Sequence, residues 1–216
     1  QDQTRGWFYT LHAISSMVFD SVSYKNVVSN GLVLDKNGQK MSKRLGNAID
    51  PFQTISDFGP DATRWYMISN SNPWDNLKFD LNGVDEVKRK FFGTLYNTYS
   101  FFALYANIDG FKYDEKEIEF DHRPELDRWI LSELNSLIIN VDEYYNDYEP
   151  TKAARAINSF VIDNLSNWYV RLSRRRFWKG DYEKDKISAF QTLFDVLINI
   201  AKLAAPISPF FMDRLF

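Results

Sequence analysis

The sequence predicts a mixed fold, an α/β piece over residues 1–80 followed by an all-α helical bundle over residues 81–216. Three observations predict it. Short apolar runs alternate with helix-start signals before residue 80. Beyond Val84, apolar residues recur at helical spacing in four long segments. Within the first texture stands a lysine-rich loop, Lys40-Met41-Ser42-Lys43-Arg44, directly after a strong turn signal.

In chain order, Gly6-Trp7-Phe8-Tyr9-Thr10-Leu11 opens an apolar segment running through Met17-Val18-Phe19, which predicts one helix covering a sheet. Val27-Val28 and Leu32-Val33-Leu34 read as short buried strands parted by Ser29-Asn30-Gly31. Asp35-Lys36-Asn37-Gly38 is a tight turn, because Asn and Gly tolerate positive φ. Asp50-Pro51 starts a helix, with Asp as the cap and Pro at the first helical position. Gly59-Pro60-Asp61-Ala62-Thr63-Arg64 starts a second one. Strands alternating with helices indicate an α/β domain, or the end of one.

The bundle follows. Its first segment carries Val84, Val87, Phe91, Leu95, Tyr99 and Phe102, and its second runs from Leu126 to Val141, opened by Pro124. The third runs from Ala153 to Leu172, and the fourth from Ile187 to Ala201, ended by Pro206 and Pro209. The chain opens on Gln-Asp-Gln and closes on Phe-Phe-Met-Asp-Arg-Leu-Phe, so it reads as a piece of a longer protein with its helical domain cut short.

Composition narrows the function. A hydrophobic share of 44% with 17% aromatics argues against disorder. The formal net charge of −3 means that any nucleic-acid contact must come from a local basic patch. With no cysteine and two histidines, disulfides and thiolate metal sites are excluded and a protein-ligated zinc is disfavoured. No apolar run approaches the roughly 18 residues of a membrane span and no signal peptide opens the chain, so no membrane partner and a cytoplasmic setting are expected.

An ammonium on a four-carbon stem is a strongly hydrated point charge that can follow a moving phosphate. Lys40 and Lys43, with Ser42 between them, suit a loop that closes over a polyphosphate and stabilises charge on a departing pyrophosphate. Each well-placed donor of that kind contributes about 3–4 kcal/mol to a transition state. A solvated Lys/Arg turn with no ligand has the same composition, and composition leaves both readings open.

Lys40-Met41-Ser42-Lys43-Arg44 resembles the KMSKS signature of class I aminoacyl-tRNA synthetases, with Arg44 where the last serine usually stands. Gly46-Asn47 also fits the residues that usually follow it. The resemblance implies amino-acid activation, in which a carboxylate attacks the α-phosphate of ATP and gives an aminoacyl-adenylate and pyrophosphate. It implies ATP binding by Lys40, Met41, Ser42, Lys43 and Arg44, catalytic roles for Lys43 first and Lys40 second, and Mg²⁺ arriving with ATP. It also implies that residues 1–80 end a Rossmann-like nucleotide-binding domain and that residues 81–216 form an anticodon-binding helical domain.

A second stretch, Asp2-Gln3-Thr4-Arg5-Gly6-Trp7-Phe8, resembles the DQ-x-RGWF stretch of isoleucyl-tRNA synthetases. That likeness implies Asp2 and Gln3 at the adenylate ribose, where a carboxylate and an amide suit two vicinal hydroxyls. It implies Trp7 lining the isoleucine pocket, although on pattern alone Trp7 and Phe8 read as core. An apolar pocket resolves one methylene by only about 1–3 kcal/mol, isoleucine against valine being the standing illustration. The family adds a separate editing domain, absent from this segment. Gly59-Pro60-Asp61-Ala62-Thr63-Arg64 resembles a linking element of these enzymes, with Arg64 expected in a structural salt bridge.

Between Asn164 and Gly180 no acidic residue occurs, while Arg171, Arg174, Arg175, Arg176 and Lys179 accumulate among Trp168, Tyr169, Phe177 and Trp178. Guanidinium groups pair with phosphates and aromatics stack on unpaired bases, so this run is a candidate tRNA contact. The alternative is a solvated helix end whose cations complement the helix dipole and whose aromatics are buried. Asp127-Arg128-Trp129, Asn167-Trp168-Tyr169 and Ala205-Pro206-Ile207-Ser208-Pro209-Phe210 resemble short signatures of the synthetase bundle. Neither His12 nor His122 lies in the His-Ile-Gly-His setting of the family, so the segment alone is expected to be inactive. The expected parent is a monomer that acts on isoleucine and tRNA(Ile). Competing readings are a valyl, leucyl or methionyl enzyme, and a non-catalytic helical RNA-binding or interaction module.

Overall fold

In the computed structural model the described residues are 2–179 and 181–216, the side chains of Asp2 and Gln3 excepted. They divide into two units, residues 1–30 and residues 31–216. The first unit holds α1 (Asp2–Arg5) and α2 (Trp7–Phe19). The apolar segment is thus a helix, as expected, but none of its residues is buried and its unit contains no strand among the described residues. α2 stops at Asp20, which adopts a left-handed φ of 48°. The chain then folds back along it: the Tyr24 hydroxyl donates to the Phe8 carbonyl at 3.3 Å, and the two rings meet edge to face. Val27-Val28, expected as a strand, joins no ladder among the described residues. Both side chains are close to half exposed, and so short a run has no buried face to hold it extended against a partner.

The second unit begins with a parallel pair, β1 (Val33–Leu34) beside β2 (Leu77–Lys78). A parallel pair needs a long crossover, and α3 (Pro51–Phe58) and α4 (Pro60–Asn70) lie within it. Gly31 permits the approach: a Cβ there would lie 2.1 Å from the Asp75 carbonyl oxygen. Asp50 caps α3 as expected, its carboxylate accepting from Phe52 N–H at 2.8 Å and Gln53 N–H at 3.4 Å.

The bundle contains α5 (Leu81–Val87), α6 (Gly93–Asp109), α7 (Glu125–Asn146), α8 (Pro150–Ser159), α9 (Arg171–Trp178), α10 (Lys184–Ala204) and α11 (Pro209–Leu215). π-helical windings over Lys88–Phe92 and Phe160–Val170 join α5 to α6 and α8 to α9, so the first and third apolar segments are each one uninterrupted helical path. Pro209 corrects one expectation. It opens α11 instead of merely ending α10, because proline at the first helical position loses no hydrogen bond. One core runs through the unit, with Trp65 stacked on Phe91 at 4.1 Å and Phe177, Phe102 and Phe111 all set against Phe190. By length and composition α10 is apolar enough to cross a membrane, yet 61% of its most apolar window is buried in this bundle.

Two aspartates tie the helices together. Asp127 on α7 is fully buried and accepts from Arg176 Nη1 at 2.6 Å and Nη2 at 2.8 Å, Tyr169 Oη at 2.9 Å and Ser188 Oγ at 2.6 Å. Four helical elements therefore meet on one carboxylate. Burial, then the charge of Asp127, pushes the Tyr169 phenol well above its ordinary pKa. Burial works against the Arg176 charge, but the bonds and charge of Asp127 outweigh it and hold the guanidinium above its already high value. Asp61, on α4, accepts from the Phe211 N–H at 2.5 Å and so caps α11 from a distance. Arg64 sits in no salt bridge among the described residues. Its guanidinium instead donates to the Ile207 carbonyl at 2.7 Å and the Pro206 carbonyl at 3.3 Å, satisfying carbonyls of the turn that joins α10 to α11.

Removing one partner of a buried pair leaves an uncompensated charge. Asp127→Ala is expected to lower the unfolding free energy of the bundle by about 3–5 kcal/mol, read from a urea titration followed by tryptophan fluorescence. A loss below 1 kcal/mol would deny Asp127 its central place.

Candidate functional site

The lysine loop is built on one carboxylate. Asp35 closes the turn after β1: its Oδ1 accepts from Asn37 N–H at 2.9 Å and from Gln39 N–H at 2.8 Å, while its backbone exchanges bonds with Gly38 and Gln39. Lys40 is thereby returned alongside Leu34 in an antiparallel bridge. Asp35 Oδ2 accepts from the Asn47 amide at 2.9 Å, and that same side chain reaches both sides of the loop. Asn47 Oδ1 accepts from Ser42 N–H at 2.8 Å, and its Nδ2 also donates to the Lys40 carbonyl at 3.3 Å. The Gln39 N–H first, then the Asn47 amide, hold the Asp35 carboxyl below the ordinary aspartate range.

Above this stem, Lys43–Leu45 make one 3₁₀ turn capped by Ser42, whose hydroxyl accepts from Arg44 N–H at 3.2 Å. Gly46 ends the turn at φ 67°, a backbone that glycine adopts without strain. Lys40, Lys43 and Arg44 are exposed, Met41 and Ser42 half-buried. The structure thus brings the five predicted residues together in one loop, with its three cations in water. A cleft of about 440 Å³ lies beside the stem, lined by Asp35, Asn37, Gly46, Asn47, Phe79 and Asn82 among others. Among the described residues, no group of three His, Cys, Asp or Glu side chains is placed to hold a metal ion.

Trp7 stands in the first unit at the start of α2, 64% exposed. The predicted ribose ligands Asp2 and Gln3 have side chains outside the described residues. The basic run is divided. Arg171, Arg174, Arg175 and Lys179 are exposed, with Trp168 and Trp178 more than half exposed beside them. Arg176 departs from the group, because its guanidinium is spent on Asp127 and on Asp185, which accepts from Nε at 3.0 Å. Tyr169 and Phe177 are buried, since the helical period turns them to the core while Trp168, Arg171, Leu172 and Arg175 share the outer stripe. Sequence reasoning missed Asp127 as the hub and Asp35 as the loop's anchor. The signal for Asp127 was a carboxylate between apolar neighbours Leu126 and Trp129 on a core helix.

Residues 1–80 match the family described as tRNA synthetases class I (I, L, M and V), and residues 127–216 match the anticodon-binding domain of tRNA ligase. The chain belongs to the class I tRNA synthetases. It is 70% identical over 215 residues to the isoleucine–tRNA ligase of Bacteroides fragilis, and 69% identical over the same length to that of Porphyromonas gingivalis. The enzyme of Thermus thermophilus is 47% identical over 99% of the chain. This synthetase segment spans about a fifth of these relatives, 19% of the first two and 20% of the third. Among solved structures, a LeuRS–tRNA–LeuAMS ternary complex from Agrobacterium radiobacter K84 superposes with a TM-score of 0.69 at 20% identity, covering 96% of this chain and 24% of its own. Mycobacterium tuberculosis methionyl-tRNA synthetase bound by methionyl-adenylate gives 0.70 at 19% identity, covering 87% and 36%. At these identities they share the fold with this synthetase segment.

A carboxyl held low in pKa supports its hydrogen bonds above the ordinary aspartate range and loses them as pH falls through its folded value. The Asn37 and Gln39 amide resonances are therefore expected to stay unchanged from pH 7 to pH 5 and to shift together on further acidification. The Asp35→Asn variant is expected to show no such step in a two-dimensional amide spectrum.

Proposed function

We propose that the full-length protein carrying this segment is an isoleucine–tRNA ligase. Isoleucine would be joined to ATP as isoleucyl-adenylate, and the isoleucyl group then passed to tRNA(Ile). The observation that carries the reading is the loop itself: two exposed ammonium groups, Lys40 and Lys43, on a carboxylate-anchored stem, in a chain 70% identical to isoleucine–tRNA ligases. In the first step a carboxylate oxygen of isoleucine attacks the α-phosphorus of ATP. The bond from that phosphorus to the bridging oxygen breaks, pyrophosphate leaves with the electron pair, and no proton is transferred. Charge grows on the leaving oxygens, and donors aimed there act mainly on the transition state. Lys43 and Lys40 take that role, with Ser42, Met41 and Arg44 completing the ATP contact. Mg²⁺ enters with the triphosphate as part of the substrate.

Residues 1–80 are read as the end of a Rossmann-like domain, a reading supported by the parallel β1–β2 pair with its helical crossover. Asp2 and Gln3 are assigned to the adenylate ribose and Trp7 to the isoleucine pocket. The exposed Arg171, Arg174, Arg175 and Lys179 with Trp168 and Trp178 are assigned to tRNA, since exposed cations beside exposed aromatics suit phosphates and unstacked bases. Arg176 is withdrawn from that assignment.

The test is amino-acid-dependent ATP–pyrophosphate exchange by the full-length protein with isoleucine, valine, leucine and methionine. Isoleucine is expected to lead, with valine next, and Lys43→Ala to cut the isoleucine rate by about a hundred-fold to a thousand-fold. A loss within a factor of two would remove Lys43 from the chemistry, and a lead by another amino acid would remove the isoleucine assignment. Charge reversal at Arg174 and Arg175 is expected to weaken tRNA binding, most strongly at low salt, whereas reversal that leaves affinity unchanged would clear that face of an RNA role.

A further inference from the structure

We propose that Asp35 and Asn47 are positioning residues that clamp the stem of the lysine loop, so that Lys40 is a preplaced charge and Lys43 a mobile one. The inference rests on the ATP-activating reading of the loop and adds a division of labour within it.

The hydrogen bonds draw the line. Asn47 crosses the loop, its Oδ1 accepting from Ser42 N–H and its Nδ2 donating to both Asp35 Oδ2 and the Lys40 carbonyl, while Asp35 Oδ1 holds the Asn37 and Gln39 amides within the turn. Those that end on the ionised carboxylate are the stronger kind. Together they fix the backbone of Lys40, already bridged to Leu34, and of Ser42. Beyond Ser42 the bonding changes character. The Arg44, Leu45 and Gly46 amides reach back only to Ser42 Oγ, the Ser42 carbonyl and the Lys43 carbonyl. The four residues Lys43 to Gly46 are all exposed, and Gly46, in its left-handed conformation, ends the turn. A crown held only by its own single turn pivots between Ser42 and Gly46 at little cost, while a stem held by a shared carboxylate does not. Lys43 rides the crown and Lys40 the stem.

A clamp of this kind acts through Lys40, and loss of a contact that strengthens only as charge develops lowers kcat more than it raises KM. In the full-length protein, Asn47→Ala is expected to reduce kcat for isoleucine-dependent ATP–pyrophosphate exchange by about a hundred-fold, the cost of a misplacement near 1 Å, with the KM for ATP within about threefold of wild type. In the Lys40→Ala background the same substitution is expected to change kcat by less than about threefold, since the positioned group is already gone. Asn47→Asp sets two carboxylates against each other and is expected to match the alanine variant. Adding Asp35→Asn to it re-forms an amide-to-carboxylate bond and is expected to recover at least about tenfold.

Independent, multiplying losses from Asn47→Ala and Lys40→Ala would overturn the clamp, as would an exchanged pair that recovers nothing. Wild-type protein with no amino-acid-dependent exchange would instead sink the ligase reading, and the clamp with it. Active wild type with multiplying losses sinks the clamp alone.

Discussion

A carboxylate taken out of water must be given hydrogen-bond donors, and that constraint organises this segment. Asp35, Asp61 and Asp127 are all buried, and Asp61 and Asp127 gather groups from parts of the chain far apart in sequence, while Asp35 closes a local loop. Asp127 draws an arginine, a tyrosine and a serine from three further helical elements. Asp61 reaches 150 residues along the chain to the first turn of α11. Asp35 joins the two ends of the lysine loop. The titration of Asp61 and of Asp35 reflects how well each is supplied. Burial raises the Asp61 pKa despite the Phe211 and Phe210 amides, whereas the donors around Asp35 hold it low.

Function follows from what these anchors leave over. Arg176 is consumed inside the bundle, so the α9 cations are sorted into one structural group and an exposed set available to phosphates. Asp35 and Asn47 consume the polar backbone of the loop stem, which leaves the ammonium groups of Lys40 and Lys43 in water. A transition state benefits from donors already in place, because they need not reorganise as charge appears. On the proposed ligase reading, anchoring the stem while freeing the crown would meet that demand for Lys40 and still let Lys43 approach and release a bulky polyphosphate.

Much of this was legible in the residues. Asp50-Pro51 announced α3 because a cap and a first-turn proline are local chemistry, and the apolar period announced the bundle because each helix buries one stripe. The lysine loop was legible as a motif. The expected strand at Val27-Val28 failed because strand formation depends on a partner that no local pattern specifies. The role of Arg176 was hidden for a related reason: its spacing matches its exposed neighbours, and only the folded bundle shows that one of them faces Asp127. Asp35 read simply as a turn residue, since its bond to Asn47 spans 12 positions and has no period. Arg64 was placed correctly as structural but with the wrong partner class, carbonyls instead of a carboxylate.

The most direct measurement of a fixed stem beneath a moving crown is amide hydrogen exchange across residues 35–47 in the full-length protein, with and without ATP and isoleucine. The account predicts slow exchange at Gln39 and Ser42 in both states, and fast exchange at Arg44 to Gly46 that slows only when both substrates are present. Uniform exchange across the whole loop, or a stem that becomes protected only on adding substrate, would contradict it.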